Sequence, residues 1–244
     1  AVYGICGGCS FQHLSSQDQI SAKQSWLQSA FMGQAKVLPK QWLEPLQVES
    51  WGYRRKARLG VRYVNKKDKV LVGFRERKSS FITVMDRCEV LHPLLGDNLE
   101  LLGECIGKLS IKFHVPQIEV AIAELDTILI LRHLQPLTSE DEVILQDYGE
   151  KLKITWYTQS GGLETVKPLN EAVSLSYSLP DHDIKMSFLP TDFTQVNFEL
   201  NQKMINLALQ LLDLNKEDEV IDLFCGLGNF TLPISRYVKK VVGI

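Results

Sequence analysis

The sequence predicts an α+β domain in its centre, followed by the truncated start of an α/β, Rossmann-like unit. Three observations carry this. Residues 51–84 alternate apolar and charged side chains in strand fashion; residues 94–178 mix helical and strand periodicity; and Glu219–Ile244 reads as strand, glycine turn, helix, strand. Three regions follow: 1–45, a cysteine-bearing segment and helix; 46–180, the central α+β domain; and 181–244, the start of the Rossmann-like unit, incomplete.

The chain has 244 residues, 45% hydrophobic and 23% charged, which suits a globular protein with a substantial core. No apolar run approaches the ~20 residues of a membrane span and the first residues do not resemble a signal peptide, so a cytoplasmic protein without a membrane partner is expected. Five cysteines are too few and too scattered for a disulfide scaffold. The net charge of −2 conceals an asymmetry, because eleven Lys and Arg lie between Arg54 and Lys78 against only Asp68 and Glu76. That strip carries +9 and the remainder −11, which points to a localised anionic partner.

Near the start stands Cys6-Gly7-Gly8-Cys9. Two thiolates with a flexible two-residue spacer can be aimed at one metal or cluster, and the same spacing serves thiol–disulfide exchange. No strand precedes Cys6, so ligation is favoured. Cys88, in a strand-to-loop change, is the candidate third thiolate. Cys105 sits among Leu101, Leu102, Ile106 and Leu109 at helical spacing and is expected in the core. Cys225 is expected to pack within its loop. Between them, Ser15 to about Lys36 reads as a helix capped by Ser15 or Ser16, with Trp26 expected in the core. Pro39 and Pro45 mark a linker.

In 51–84, Ala57, Leu59, Val61 and Tyr63 point one way and Lys56, Arg58 and Arg62 the other, giving a hairpin with one buried and one cationic face. A cationic sheet face suits a phosphate backbone, so Arg54, Arg55, Lys56, Arg58 and Arg62 are candidate RNA contacts. The competing reading is a solvated face that protects a strand edge.

Further on, Leu94–Ile111 reads as a helix, Gln117–Ala123 and Thr127–Leu134 as strands, and Ser139–Gly149 as a helix capped by Ser139. Lys153–Tyr157 and Ser174–Ser178 are further strands. His133 ends a strand and is expected to be structural. Pro180–Pro190 reads as a linker, and Phe198–Leu212 as a helix capped by Asn197, with Gln195 offering an amide just before it. Then Val220-Ile-Asp-Leu223 runs into Gly226-Leu-Gly228. A third glycine is lacking, which weakens a dinucleotide reading. An acid two or three residues before G-x-G suits an S-adenosylmethionine loop, and the plainer alternative is a turn needing glycine for its dihedrals.

Four pieces, C-G-G-C, Y-R-R-K-A-R, F-x-Q-V-N and D-L-F-C-G-L-G-N-F-T-L-P, occur in this order across essentially the whole chain. Together they resemble the iron–sulfur-containing RNA (uracil-5-)-methyltransferases, closest to the bacterial large-subunit (23S) rRNA type. The resemblance implies a Rossmann-like S-adenosylmethionine-dependent methyltransferase domain. It implies Gln195, Phe224, Gly226, Gly228 and Asn229 at the methyl donor, and Cys6, Cys9 and Cys88 as ligands of a [4Fe–4S] cluster whose remaining cysteine would precede Ala1. It implies ribosomal RNA as partner and methylation of uridine C5. That carbon is a weak nucleophile, so such enzymes add a cysteine thiolate at C6 and use a base to remove the C5 proton from a base taken out of its stack. The family's nucleophile, base and ribose-binding acid are expected beyond Ile244, so no catalytic residue is assigned within the chain and the chain alone is expected to be inactive. The alternatives are an RNA-binding iron–sulfur or zinc module without enzymatic activity, and a homologue directed at tRNA.

Overall fold

The computed structural model describes residues 2–244. A six-stranded sheet forms its centre, built from β1 (Lys56–Val64), β2 (Lys69–Gly73), β3 (Gln117–Ile122), β4 (Thr127–Arg132), β5 (Thr155–Gln159) and β6 (Lys167–Pro168) in the order β2-β1-β3-β4-β5-β6. Its pairs are antiparallel except β4 and β5, which run parallel. A parallel pair requires a crossover, supplied here by α4 (Ser139–Leu152).

Alternation along the strands gives the sheet two apolar faces. Leu59, Val61, Ile118, Val120, Leu129 and Leu131 face α3 (Leu99–Lys108) and α4. Ala121, Ile128, Ile130 and Tyr157 face the other way, onto β7 (Leu175–Leu179), β8 (Ile184–Phe188) and α5 (Phe198–Leu212). The α3 contact depends on one glycine, since a Cβ on Gly103 would stand 2.7 Å from the Val70 carbonyl oxygen. Cys105 is fully buried in the first core, and burial pushes its thiol up to about 12.

Several local expectations are corrected. The helix expected over Leu94–Ile111 is two helices, α2 (Pro93–Gly96) and α3, separated at Asp97 and Asn98, where Asn98 turns its amide back onto the Leu94 carbonyl at 2.9 Å. The α4 cap is Thr138 and not Ser139, because Asp141 at the third helical position completes a capping box with Thr138. The linker expected at Pro180–Pro190 contains β8, paired antiparallel with β7. Helix α1 (Ser16–Ala30), capped by Ser15 and extended by a π turn at Phe31–Ala35, buries no residue fully, and Trp26 is 73% exposed. The half-buried positions Ile20, Gln24 and Phe31 share one face, and Trp26 lies off that row.

The carboxy-terminal region follows the predicted pattern. Strands β9 (Glu219–Asp222) and β10 (Lys240–Gly243) are parallel, with the glycine loop and the short helix α6 (Thr231–Ser235) between them. His133 is buried with Nδ1 2.7 Å from the Gln135 carbonyl oxygen.

Candidate cofactor loop, cysteine cavity and cationic strand

The glycine loop leaves β9 through three left-handed residues: Phe224 at φ +63°, Gly226 at +56° and Gly228 at +88°. For the glycines this conformation is easily reached, whereas a non-glycine held there costs about 1–3 kcal/mol. The Phe224 ring gains no burial in return, being 97% exposed. A strained, solvent-facing ring at the carboxyl end of a parallel strand is a surface suited to a planar ligand. Below it, Thr231 Oγ1 donates to Asp222 Oδ2 at 2.5 Å, tying the strand end to α6.

Asn229 faces inward. Its Oδ1 accepts from Tyr177 Oη at 3.0 Å and from Asn201 Nδ2 at 2.9 Å, while its Nδ2 donates to Asn201 Oδ1 at 2.8 Å. The loop is thereby fastened to α5 and to β7 at once. Asn201 also lines a cavity of about 500 Å³ whose walls include Gln195, Asn197, Gln12, Lys23 and Tyr53. Gln195 therefore faces this cavity, and Asn229 connects to it through Asn201, whereas Phe224, Gly226 and Gly228 are not among its walls. Sequence reading missed Asn201 and Tyr177. The available signal was a polar residue on the core-facing row of α5, one turn before Ile205, where both are fully buried.

The amino-terminal segment docks beside the end of β2: Gly7 N–H donates to the Arg75 carbonyl at 2.8 Å, and Arg77 N–H to that of Ile5 at 2.7 Å. Cys6, Cys9 and Cys88 consequently line one cavity of about 470 Å³, together with Arg54, Phe74 and Met85. Burial pushes the Cys9 thiol up, and Cys88 and Cys6 push it further, with Arg54 opposing. Three soft thiols share one hollow, three of the four thiolates that an iron–sulfur cluster takes. Among the described residues, however, no group of three ligand side chains is close enough together to hold a single metal ion.

The five candidate RNA contacts divide. Arg58 and Arg62 are exposed, Arg58 forming an ion pair with Glu119 at 2.8 Å and Arg62 lying 6.0 Å from the Phe81 ring centre. Arg54 is at the cysteine cavity. Arg55 and Lys56 are engaged internally: Arg55 donates to the Ala123 carbonyl at 3.0 Å and stacks 5.0 Å over Phe198, and Lys56 donates to the carbonyls of Pro190, at 2.9 Å, and Asp192. Burial lowers the pKa of both.

Comparison with known proteins agrees with this architecture. The fold is shared with the solved structure of Pyrococcus abyssi tRNA (uracil-54, C5)-methyltransferase in complex with S-adenosyl-L-homocysteine, at a TM-score of 0.66 and 17% identity over 97% of this chain and 58% of that one. The chain therefore has the fold of that structure. Residues 18–244 match the sequence model of the tRNA (Uracil-5-)-methyltransferase family, and the chain belongs to that family. It is 65% identical, over its whole length, to the 23S rRNA (uracil(1939)-C(5))-methyltransferase RlmD of Vesicomyosocius okutanii, and 51% identical, over 99% of its length, to that of Nitrosococcus oceani. It spans 55% and 54% of those two proteins, about half the length of each.

Proposed function

We propose that the protein acts in the transfer of a methyl group from S-adenosylmethionine to C5 of a uridine in 23S rRNA. The observation that carries this is the glycine loop, open at Phe224 and braced at Asn229, in a chain with 65% identity throughout to a protein of that name. Gln195, Phe224, Gly226 and Gly228 contact the donor and Asn229 braces their loop: the glycines let the backbone approach, the Phe224 ring covers an apolar part, the Gln195 amide meets polar groups, and the Asn229 amide, turned inward onto Asn201 and Tyr177, holds the loop in place. The donor supplies an electrophilic methyl group, and these residues orient it.

Cys6, Cys9 and Cys88 contribute thiolates to an iron–sulfur cluster, supported by their common cavity. Uridine methylation calls for no electron transfer, so the cluster serves to hold the amino-terminal segment against β2. Arg58 and Arg62, with Arg54 at one end, offer the cationic strand to RNA phosphates, which positions a substrate without specifying its sequence. The layout we propose is a cluster segment at 1–45, an RNA-binding domain from 46 through the β7–β8 hairpin, which ends at Phe188, and the start of the methyltransferase domain from there to 244, in a cytoplasmic protein. Among the described residues, no helix is long and apolar enough to cross a membrane.

The test is methyl transfer from radiolabelled donor by the whole protein to unmodified 23S rRNA, with tRNA in parallel. Label at uridine C5 of 23S rRNA, lost in Asn229→Ala, is expected. Label in tRNA alone would favour the tRNA-directed homologue, and RNA binding without any S-adenosylhomocysteine binding would favour a module without activity.

A further inference from the structure

Arg55 and Lys56 lie in the most basic stretch of the chain, yet neither charge is presented to solvent as its neighbours' are. Both close on the segment that carries Gln195. Lys56 Nζ reaches the carbonyls of Pro190 and Asp192. One residue earlier, Arg55 N–H donates to the Val196 carbonyl at 3.0 Å, and its guanidinium lies over Phe198, the first residue of α5. The segment has its own turn, in which Leu189 N–H donates to Asp192 Oδ2 at 2.7 Å and Asp192 N–H to the Leu189 carbonyl at 2.9 Å. Residues 190–196 are thus held at both ends by Lys56, the first residue of β1, and Arg55 just before it. Two positions beyond Lys56, on the same side of the strand, stands the exposed Arg58.

We infer that Lys56 and Arg55 are positioning residues for Gln195, joining the cationic strand to the donor site, and are not phosphate contacts. A lysine whose ammonium is committed to two carbonyls releases no counterion when RNA binds. Its removal instead leaves those carbonyls without their charged donor and loosens the Leu189–Asp192 turn that leads into Gln195. Strand β1 thereby has two roles along its length: anchoring the donor segment at its first residues, and presenting cations further on.

The assignment rests on Gln195 being a donor contact, so the experiment has one arm that does not depend on it. Lys56→Met keeps the apolar stem and removes the ammonium; Lys56→Arg keeps a charged donor. Hydrogen exchange at the amides of 189–197 is followed in both, alongside S-adenosylhomocysteine affinity and the salt dependence of binding to an RNA oligonucleotide. Lys56→Met is expected to exchange faster at Leu189 and Asp192 and to weaken S-adenosylhomocysteine by about tenfold, with the salt slope unchanged and partial recovery in Lys56→Arg. Unaltered exchange across 189–197 overturns the positioning role whatever the cofactor result, as does a salt slope reduced by about one, the mark of a lost phosphate contact. Absence of S-adenosylhomocysteine binding in the unsubstituted protein refutes the proposed function instead, and leaves the exchange result to decide the role of Lys56.

Discussion

Asn201 and Asn229 exchange their side-chain amides reciprocally, each donating to the other's oxygen at 2.8–2.9 Å, with Asn201 only 2% exposed. Twenty-eight residues separate them in sequence, and the pair joins α5 to the glycine loop. Replacing Asn229 leaves the buried Asn201 amide without its partner, which costs about 1–3 kcal/mol, whereas replacing Asn201 leaves the half-buried Asn229 still accepting from Tyr177 Oη. Asn229→Ala is expected to lower stability in this range and Asn201→Ala by less, with the double variant less destabilised than the sum of the two. Denaturant titration of the four-member cycle measures this; additivity within about 0.5 kcal/mol would mean the amides are not coupled.

Periodicity alone makes most of the architecture legible. Strands β1, β3 and β4, helix α5 and the β9-loop-β10 unit stand where alternation, caps and glycines put them. What escapes a reading of local pattern is tertiary in origin. Trp26 reads as a core residue because large aromatics usually are, but its helix turns a different row inward. Arg55 and Lys56 read as RNA contacts on a cationic face because the carbonyls that receive them lie more than sixty positions away in the chain. Asn201 stands out in the sequence only as a polar residue on the core-facing row of α5, and local pattern does not say that Asn229 is its partner.

Gly103→Ala sets local propensity against packing. Alanine in a helix interior is favoured over glycine by about 1 kcal/mol. Here the added methyl would meet the Val70 carbonyl oxygen at 2.7 Å, where α3 lies against β2. Backbone cannot yield as a side chain tip can, so a net destabilisation of about 1–3 kcal/mol is expected. A thermal midpoint equal to or above that of the unsubstituted protein would show that the helix can shift outward without loss.

Asp141 makes part of the protein's stability depend on acid. Burial alone would raise its carboxyl pKa, but donors from Ser110 N–H at 2.6 Å, Ser110 Oγ at 2.7 Å and Thr138 N–H at 3.0 Å outweigh burial and hold it below the ordinary aspartate range. A depressed folded-state pKa contributes stability that is complete above the unfolded-state value and is lost as pH falls through the ordinary aspartate range to the folded one. Asp141→Asn removes that dependence and places an amide N–H group among donors. It is expected to cost about 2 kcal/mol near neutrality and progressively less in acid, which unfolding curves at several pH values would reveal; a pH-independent difference would count against the linkage.

The cysteines offer a contrast in which one substitution has two opposite signatures. Cys88 shares its cavity with Cys6 and Cys9, whereas Cys105 is sealed in the core with its thiol at about 12, far from forming a thiolate at neutral pH. Only a thiolate ligates a cluster. For protein purified without oxygen, Cys88→Ser is therefore expected to lose most bound iron and the visible charge-transfer absorbance. Cys105→Ser should keep both, while losing about 1–3 kcal/mol of stability for burying a hydroxyl among Leu, Ile and Val side chains. Iron retained in Cys88→Ser would remove this residue from the ligand set. Iron lost in Cys105→Ser with the fold intact would contradict the division between a ligating and a packing cysteine on which the amino-terminal assignment depends.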